Sequence, residues 1–109
     1  MAVSELTAVE LVTLAALAEQ PGYGYELVQR IEEMTDGRVR IRPGNLYRVI
    51  DRLIERGYAG EVAGSSGDER RRYFKATARG SRAAAEELAM YARVLKRIPA
   101  LRERVADGG

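Results

Sequence analysis

Between Pro43 and Gly57, charged residues fall on one side of a helical pattern and apolar residues on the other. Leu46, Val49, Ile50, Leu53 and Ile54 have the spacing of a buried stripe, which leaves Arg48, Asp51, Arg52 and Glu55 facing away from it. Asn45 and Tyr47 flank the charged side near its N-terminal end. Arginine can donate two hydrogen bonds to guanine, and asparagine can pair with adenine in a similar two-point fashion. Backbone N–H groups at a helix start, here beside Arg42 and Gly44, can take a phosphate. The pattern fits a helix that enters a DNA groove, with Arg42, Gly44, Asn45, Tyr47, Arg48 and Arg52 as contacts and Tyr47 best suited to a phosphate. It also fits a solvated face. Arg48–Asp51 and Arg52–Glu55 are opposite charges at helical spacing, while Arg48–Arg52 and Asp51–Glu55 are like charges.

A second basic group, Arg70, Arg71, Arg72 and Lys75, follows the turn-forming run Gly64-Ser65-Ser66-Gly67-Asp68. Strand alternation puts Arg71, Tyr73 and Lys75 on one side and Arg72, Phe74 and Ala76 on the other. Basic side chains on an edge strand guard against aggregation. Placed just after a basic helix, they also suit phosphate contacts, which position a protein on DNA without reading sequence.

Other chemistry is excluded by residue type. The chain has no cysteine and no histidine. That removes disulfides, thiolate or imidazole metal sites, and Ser–His or Cys–His nucleophiles. Glu32-Glu33 and Glu86-Glu87 are adjacent carboxylates that point in different directions on a helix, a poor arrangement for paired acid–base work. Neither catalysis, nor a metal, nor a cofactor is expected.

The elements that must position these residues follow from periodicity. Leu6, Val9, Leu11, Val12, Leu14 and Leu17 make a first helix, capped by Ser4 or by Thr7, which has capping-box spacing to Glu10. Gln20-Pro21-Gly22 breaks it, and Leu27, Val28, Ile31 and Met34 define a second helix closed by Asp36-Gly37. Arg38 to Arg42 alternates as a short extended stretch, and Pro43 opens the third helix. Tyr58–Ala63 and Arg70–Ala76 read as the strands of a hairpin. After Thr77, the residues Ala84, Leu88, Tyr91, Leu95 and Ile98 recur at steps of four and three, the seam two helices bury between them. Pro99 kinks or restarts that last helix.

The chain has 109 residues, which suits one domain, and its net charge is only +2. The distribution is uneven: −6 over residues 1–37, +7 over 38–82 and +1 over 83–109. The middle third is therefore the candidate polyanion-binding surface. The N-terminus shows no signal-peptide pattern and no apolar run approaches a membrane span, so a cytoplasmic protein with no membrane contact is expected.

Three segments then resemble the PadR family of bacterial transcription regulators. They are Gly24-Tyr25-Glu26-Leu27, Pro43-Gly44-Asn45-Leu46-Tyr47 and Leu53-Ile54-Glu55-Arg56-Gly57-Tyr58. Arg71-Arg72-Tyr73-Phe74 followed by Thr77-Ala78-Arg79-Gly80 is similar to the family's second wing strand and helix start. The resemblance runs from about Leu6 to Leu95. It implies a homodimeric repressor whose third helix and wing touch DNA and whose C-terminal helix, with the first helix, makes the dimer. It also implies that some members release DNA on binding small aromatic or drug-like effectors. The chain departs from the family pattern at Tyr23, where histidine is frequent, at Asn45, where threonine is frequent, and at Ala76, where leucine is usual.

The expected fold is mainly α with a small β-hairpin. Residues 1–76 form a winged helix-turn-helix and residues 77–109 a long C-terminal dimerisation helix. The expected DNA contacts are Arg42, Gly44, Asn45, Tyr47, Arg48, Arg52, Arg70, Arg71, Arg72 and Lys75. The expected dimer contacts are Leu11, Leu14, Leu88, Tyr91, Leu95 and Ile98, and Leu11, Leu14, Tyr91 and Leu95 could line an effector pocket. The partners are double-stranded DNA on a palindromic operator, a second copy of the chain, and a small-molecule effector. The alternative is a winged-helix module that binds proteins rather than specific DNA.

Overall fold

Helix α1, Ala8–Glu19, begins at Thr7, and a computed structural model of the chain describes residues 6–64 and 71–107. The Glu10 N–H donates to the Thr7 hydroxyl at 3.1 Å and the Thr7 N–H donates to the Glu10 carboxylate at 2.8 Å, so the capping box is complete. Leu11, Thr13, Leu14, Ala16 and Leu17 are all buried, because α1 is the hub against which α2, α3, α4 and the sheet pack. Its C-terminal carbonyls are served from the next helix: the Arg30 guanidinium donates to the Ala16 and Gln20 carbonyls.

Helix α2, Gly24–Met34, buries Leu27 and Ile31 and ends in two residues of positive φ, Asp36 and Gly37. Residues 38–42 join no strand; Val39 and Ile41 rest on the core while Arg38, Arg40 and Arg42 are exposed. Helix α3, Pro43–Glu55, starts with proline in its first turn and buries Leu46, Tyr47, Val49, Ile50 and Leu53. It closes in a Schellman arrangement. Gly57 has φ +77° and its N–H donates to the Ile54 carbonyl, while the Tyr58 N–H reaches back to Leu53.

The sheet has three strands, β1 (Gly22–Tyr23), β2 (Ala59–Glu61) and β3 (Tyr73–Ala76), antiparallel in the order β1-β3-β2. The hairpin was expected; β1 was not, since two residues cannot show alternation. It pairs Gly22 with Phe74 and Tyr23 with Tyr73. The two tyrosine rings meet edge to face at 4.8 Å. Phe74 is fully buried beneath the sheet and anchors it to α1 and α3.

Helix α4, Ala78–Arg97, is capped by the Thr77 hydroxyl, which accepts from the Gly80 N–H. Gly80 is a close approach: any Cβ there would overlap the Tyr58 carbonyl. Gly80, Ala84 and Glu87 are buried where α4 crosses α1. From Leu88 onward every described residue is exposed, through the break at Ile98 and helix α5, Pro99–Ala106.

Candidate nucleic-acid interface

The outer side of α3 carries Asn45, Arg48, Asp51, Arg52 and Glu55, all exposed, because the opposite side is locked into the core. Arg42 and Gly44 lie exposed at its N-terminal end. An open cleft of about 560 Å³ runs between the start of α1, residues 39–42 and α3. Arg40, Arg42, Arg48 and Arg52 line it above an apolar floor of Val9, Val39, Ile41 and Val49. Four arginines converge there, and Arg42 and Arg48 make no ion pair or hydrogen bond among the described residues. Such a surface carries positive potential to a polyanion.

Arg52 is placed differently from Arg48. Its Nε–H donates to Glu10 Oε2 at 3.1 Å, and Arg56 Nη1 lies 3.9 Å from the other carboxylate oxygen. Glu10 is 6% exposed. Burial favours its neutral form, but the Thr7 backbone bond, the Arg52 bond, the Thr7 hydroxyl and the Arg52 charge outweigh that and hold its pKa below the ordinary glutamate value. Glu10 and Arg56 were not expected at the site, since they come together only when α1 packs on α3.

The wing divides its basic residues. Arg71 and Lys75 are exposed and unpaired among the described residues. Arg72 is turned inward: it donates to Glu61 at 2.9 Å, lies 4.0 Å from Asp51 on α3, and stacks over the Phe74 ring at 5.0 Å. These contacts draw a guanidinium expected at phosphate toward Glu61 and toward Asp51 on α3. Arg70 lies outside the described residues.

Two further sets of expected contact residues are buried in the protomer. Tyr47 is only 7% exposed; its ring sits 6.1 Å from Phe74 and its hydroxyl end lies against Gly24, where a Cβ would clash. Placed there, it joins α2, α3 and the sheet. Leu14 is fully buried and Leu11 nearly so within the protomer's own core. Leu88, Tyr91 and Leu95 are exposed along α4, and Ile98 is exposed at the break that follows it. Among the described residues no acidic cluster could hold a metal, and no helix is long and apolar enough to cross a membrane.

Three helices followed by a hairpin, with a basic third helix beside the hairpin, define a winged-helix DNA-binding protein. Residues 13–86 match the transcriptional regulator PadR-like family, and the chain belongs to it. Regulators of this family are non-enzymatic DNA-binding proteins.

Among solved structures, the chain is 25% identical to RosR of H. salinarum, covering 94% of this chain and 89% of that one with a TM-score of 0.70. It is 28% identical to a transcriptional regulator from Clostridium thermocellum, covering 84% and 90% with a TM-score of 0.66. A PadR-like regulator from Bacillus cereus shares the fold at 20% identity, covering 85% and 89% with a TM-score of 0.67. The similar regulators come from an archaeon as well as from bacteria, so the likeness does not single out a bacterial source. No curated protein sequence matches the chain.

Proposed function

We propose that this regulator is a cytoplasmic repressor that binds a palindromic operator as a homodimer. The observation that carries the DNA reading is the exposed row Asn45, Arg48 and Arg52 on a helix whose other side is fully committed to the core. Lys75 and Arg71 extend the same basic surface onto the wing, where they suit flanking phosphates.

The dimer reading rests on the C-terminal region, residues 77–109. Leu88, Tyr91 and Leu95 recur at steps of three and four along α4, with Ile98 one step further at its C-cap, each exposed by more than a third. The protomer leaves this stripe uncovered, and a two-fold pairing of α4 with its copy would bury it. Two α3 helices related by that axis would meet successive major grooves about 34 Å apart. A small aromatic effector acting at this interface would meet Tyr91 and Leu95.

Gel-shift titration of the wild type across salt tests the reading. Binding should weaken steeply as salt rises, because neutralised phosphates release counterions. Arg48→Ala should cost about 1–3 kcal/mol on the selected operator if Arg48 meets a base edge. Unchanged affinity in Arg48→Ala, Arg52→Ala and Arg71→Ala would reject the assignment. Sequence-indifferent binding together with a stable protein partner would favour an interaction module instead.

A further inference from the structure

Two arginines one turn apart on α3 face the same way, yet one is tethered and the other is not. Arg48 makes no hydrogen bond or ion pair among the described residues. Arg52 gives its Nε–H to Glu10 Oε2 at 3.1 Å, while its side chain stays 54% exposed.

Glu10 is not a swivelling surface partner. It is buried, and its Oε1 accepts the Thr7 N–H at 2.8 Å while its own N–H donates to the Thr7 hydroxyl. The carboxylate is thereby fastened to the backbone of α1, and α1 is packed on α3. Arg56 Nη1, at 3.9 Å from Oε1, places a second positive charge beside it. The anchor for Arg52 is as rigid as the helix start itself.

A guanidinium is planar, so fixing the Nε–H fixes both its plane and its direction. The two Nη groups of Arg52 take no hydrogen bond among the described residues. Their paired N–H donors are the edge that matches O6 and N7 of guanine. An arginine held in place before binding loses less freedom on meeting its base. The neighbouring carboxylate also offsets part of its charge, which weakens its pull on phosphates at large.

We infer that Glu10 is a positioning residue for base recognition: it holds Arg52 so that the guanidinium reads one guanine in each half-site. The inference rests on the reading of α3 as the groove-entering helix. Arg48 has no anchor and is free to adapt to whatever lies opposite it.

The test uses the full chain as wild type, Glu10→Gln, Glu10→Asp, Arg52→Ala and the Glu10→Gln/Arg52→Ala double variant. Each is mixed with a pool of duplexes of randomised sequence, and bound duplexes are sequenced. Affinity for the unselected pool is measured in parallel, and folding of each variant is checked by thermal melting. The wild type should enrich a guanine that Arg52→Ala no longer selects. Glu10→Gln should lose about tenfold in preference at that same position, while binding the unselected pool at least as tightly as the wild type. In the Arg52→Ala background, Glu10→Gln should change no preference. If Glu10→Gln does not fold, Glu10→Asp serves in its place: it keeps the charge at the helix start, but its reach is one methylene short of Arg52.

A folded Glu10 variant that keeps the wild-type preference at the Arg52 position overturns the inference alone, as does Arg52→Ala selecting the wild-type sequence. A wild type that enriches no sequence overturns the DNA reading and takes this inference with it.

Discussion

Glu10 joins three jobs in one side chain: it caps α1, it compensates two arginines, and it packs α1 beside the basic side of α3. Its pKa is lowered in the folded chain. A carboxylate with a depressed folded pKa contributes stability above its ordinary value near 4.5 and loses that contribution as pH falls through the lower, folded value. Glu10→Gln should therefore reduce stability at neutral pH by about 1–2 kcal/mol. The difference from wild type should shrink in melts taken at progressively more acid pH. A difference that persists unchanged into strong acid would show that ionisation is irrelevant there. Glycines give a second test at this scale. Gly80→Ala forces a methyl onto the Tyr58 carbonyl and should cost about 3 kcal/mol or more. Gly44→Ala meets nothing within 4 Å and should leave the melt nearly unchanged. The Thr7–Glu10 capping spacing was legible in the chain, because a capping box is local. The Arg52 partner was not, because 42 residues separate it from Glu10 and only packing brings them together.

Each basic element divides its residues between holding the fold and facing outward. On β3 and its approach, Arg72 points under the sheet to Glu61, Asp51 and Phe74, while Arg71 and Lys75 remain outside. Arg71→Ala and Lys75→Ala should each flatten the dependence of log affinity on log salt by about 0.9, with base preference unchanged. Arg72→Ala should instead lower the melting temperature, since it removes one of the contacts between wing and α3. Salt-titrated gel shifts beside thermal melts separate the two outcomes. If Arg72→Ala flattened the salt slope like its neighbours and left the melt alone, the division would be wrong. The period-two pattern already placed Arg72 on the side of Phe74, opposite Arg71 and Lys75. It did not say which side was the core side, because both sides of a short basic strand carry charge. The same ambiguity holds for Tyr47. An amphipathic residue at the edge of a helical stripe can lie either way, and here the space above Gly24 takes its ring.

The whole molecule extends 49 Å along its longest axis and 19 Å along its shortest. The length reflects the C-terminal region, where α4 leaves α1 after Glu87 and carries Leu88, Tyr91, Leu95 and Ile98 into solvent. This apolar row is the surface that the proposed dimer would cover. Leu88→Glu together with Leu95→Glu should convert a dimer to a monomer in sedimentation equilibrium. It should also remove the concentration dependence of the melting temperature and weaken operator binding at least tenfold by separating the two half-site contacts. A wild type that sediments as a monomer at all concentrations would defeat the dimer proposal.

Periodicity, caps and turn residues were enough to place four of the five helices, the hairpin, the apolar row on α4 and the charged side of α3. Each of these is written in residues within a few turns of one another. Pro99 marked the point where α5 begins without saying whether the helix bends or starts afresh. The third strand, the inward turn of Arg72, the burial of Tyr47, Leu11 and Leu14, and the Glu10–Arg52 link were decided only in three dimensions. A helix that is apolar around most of its girth, as α1 is, does not declare which neighbour will cover each side. That choice is made when α2, α3, α4 and the sheet close over it together, and with it the choice of which arginine is held and which is left free.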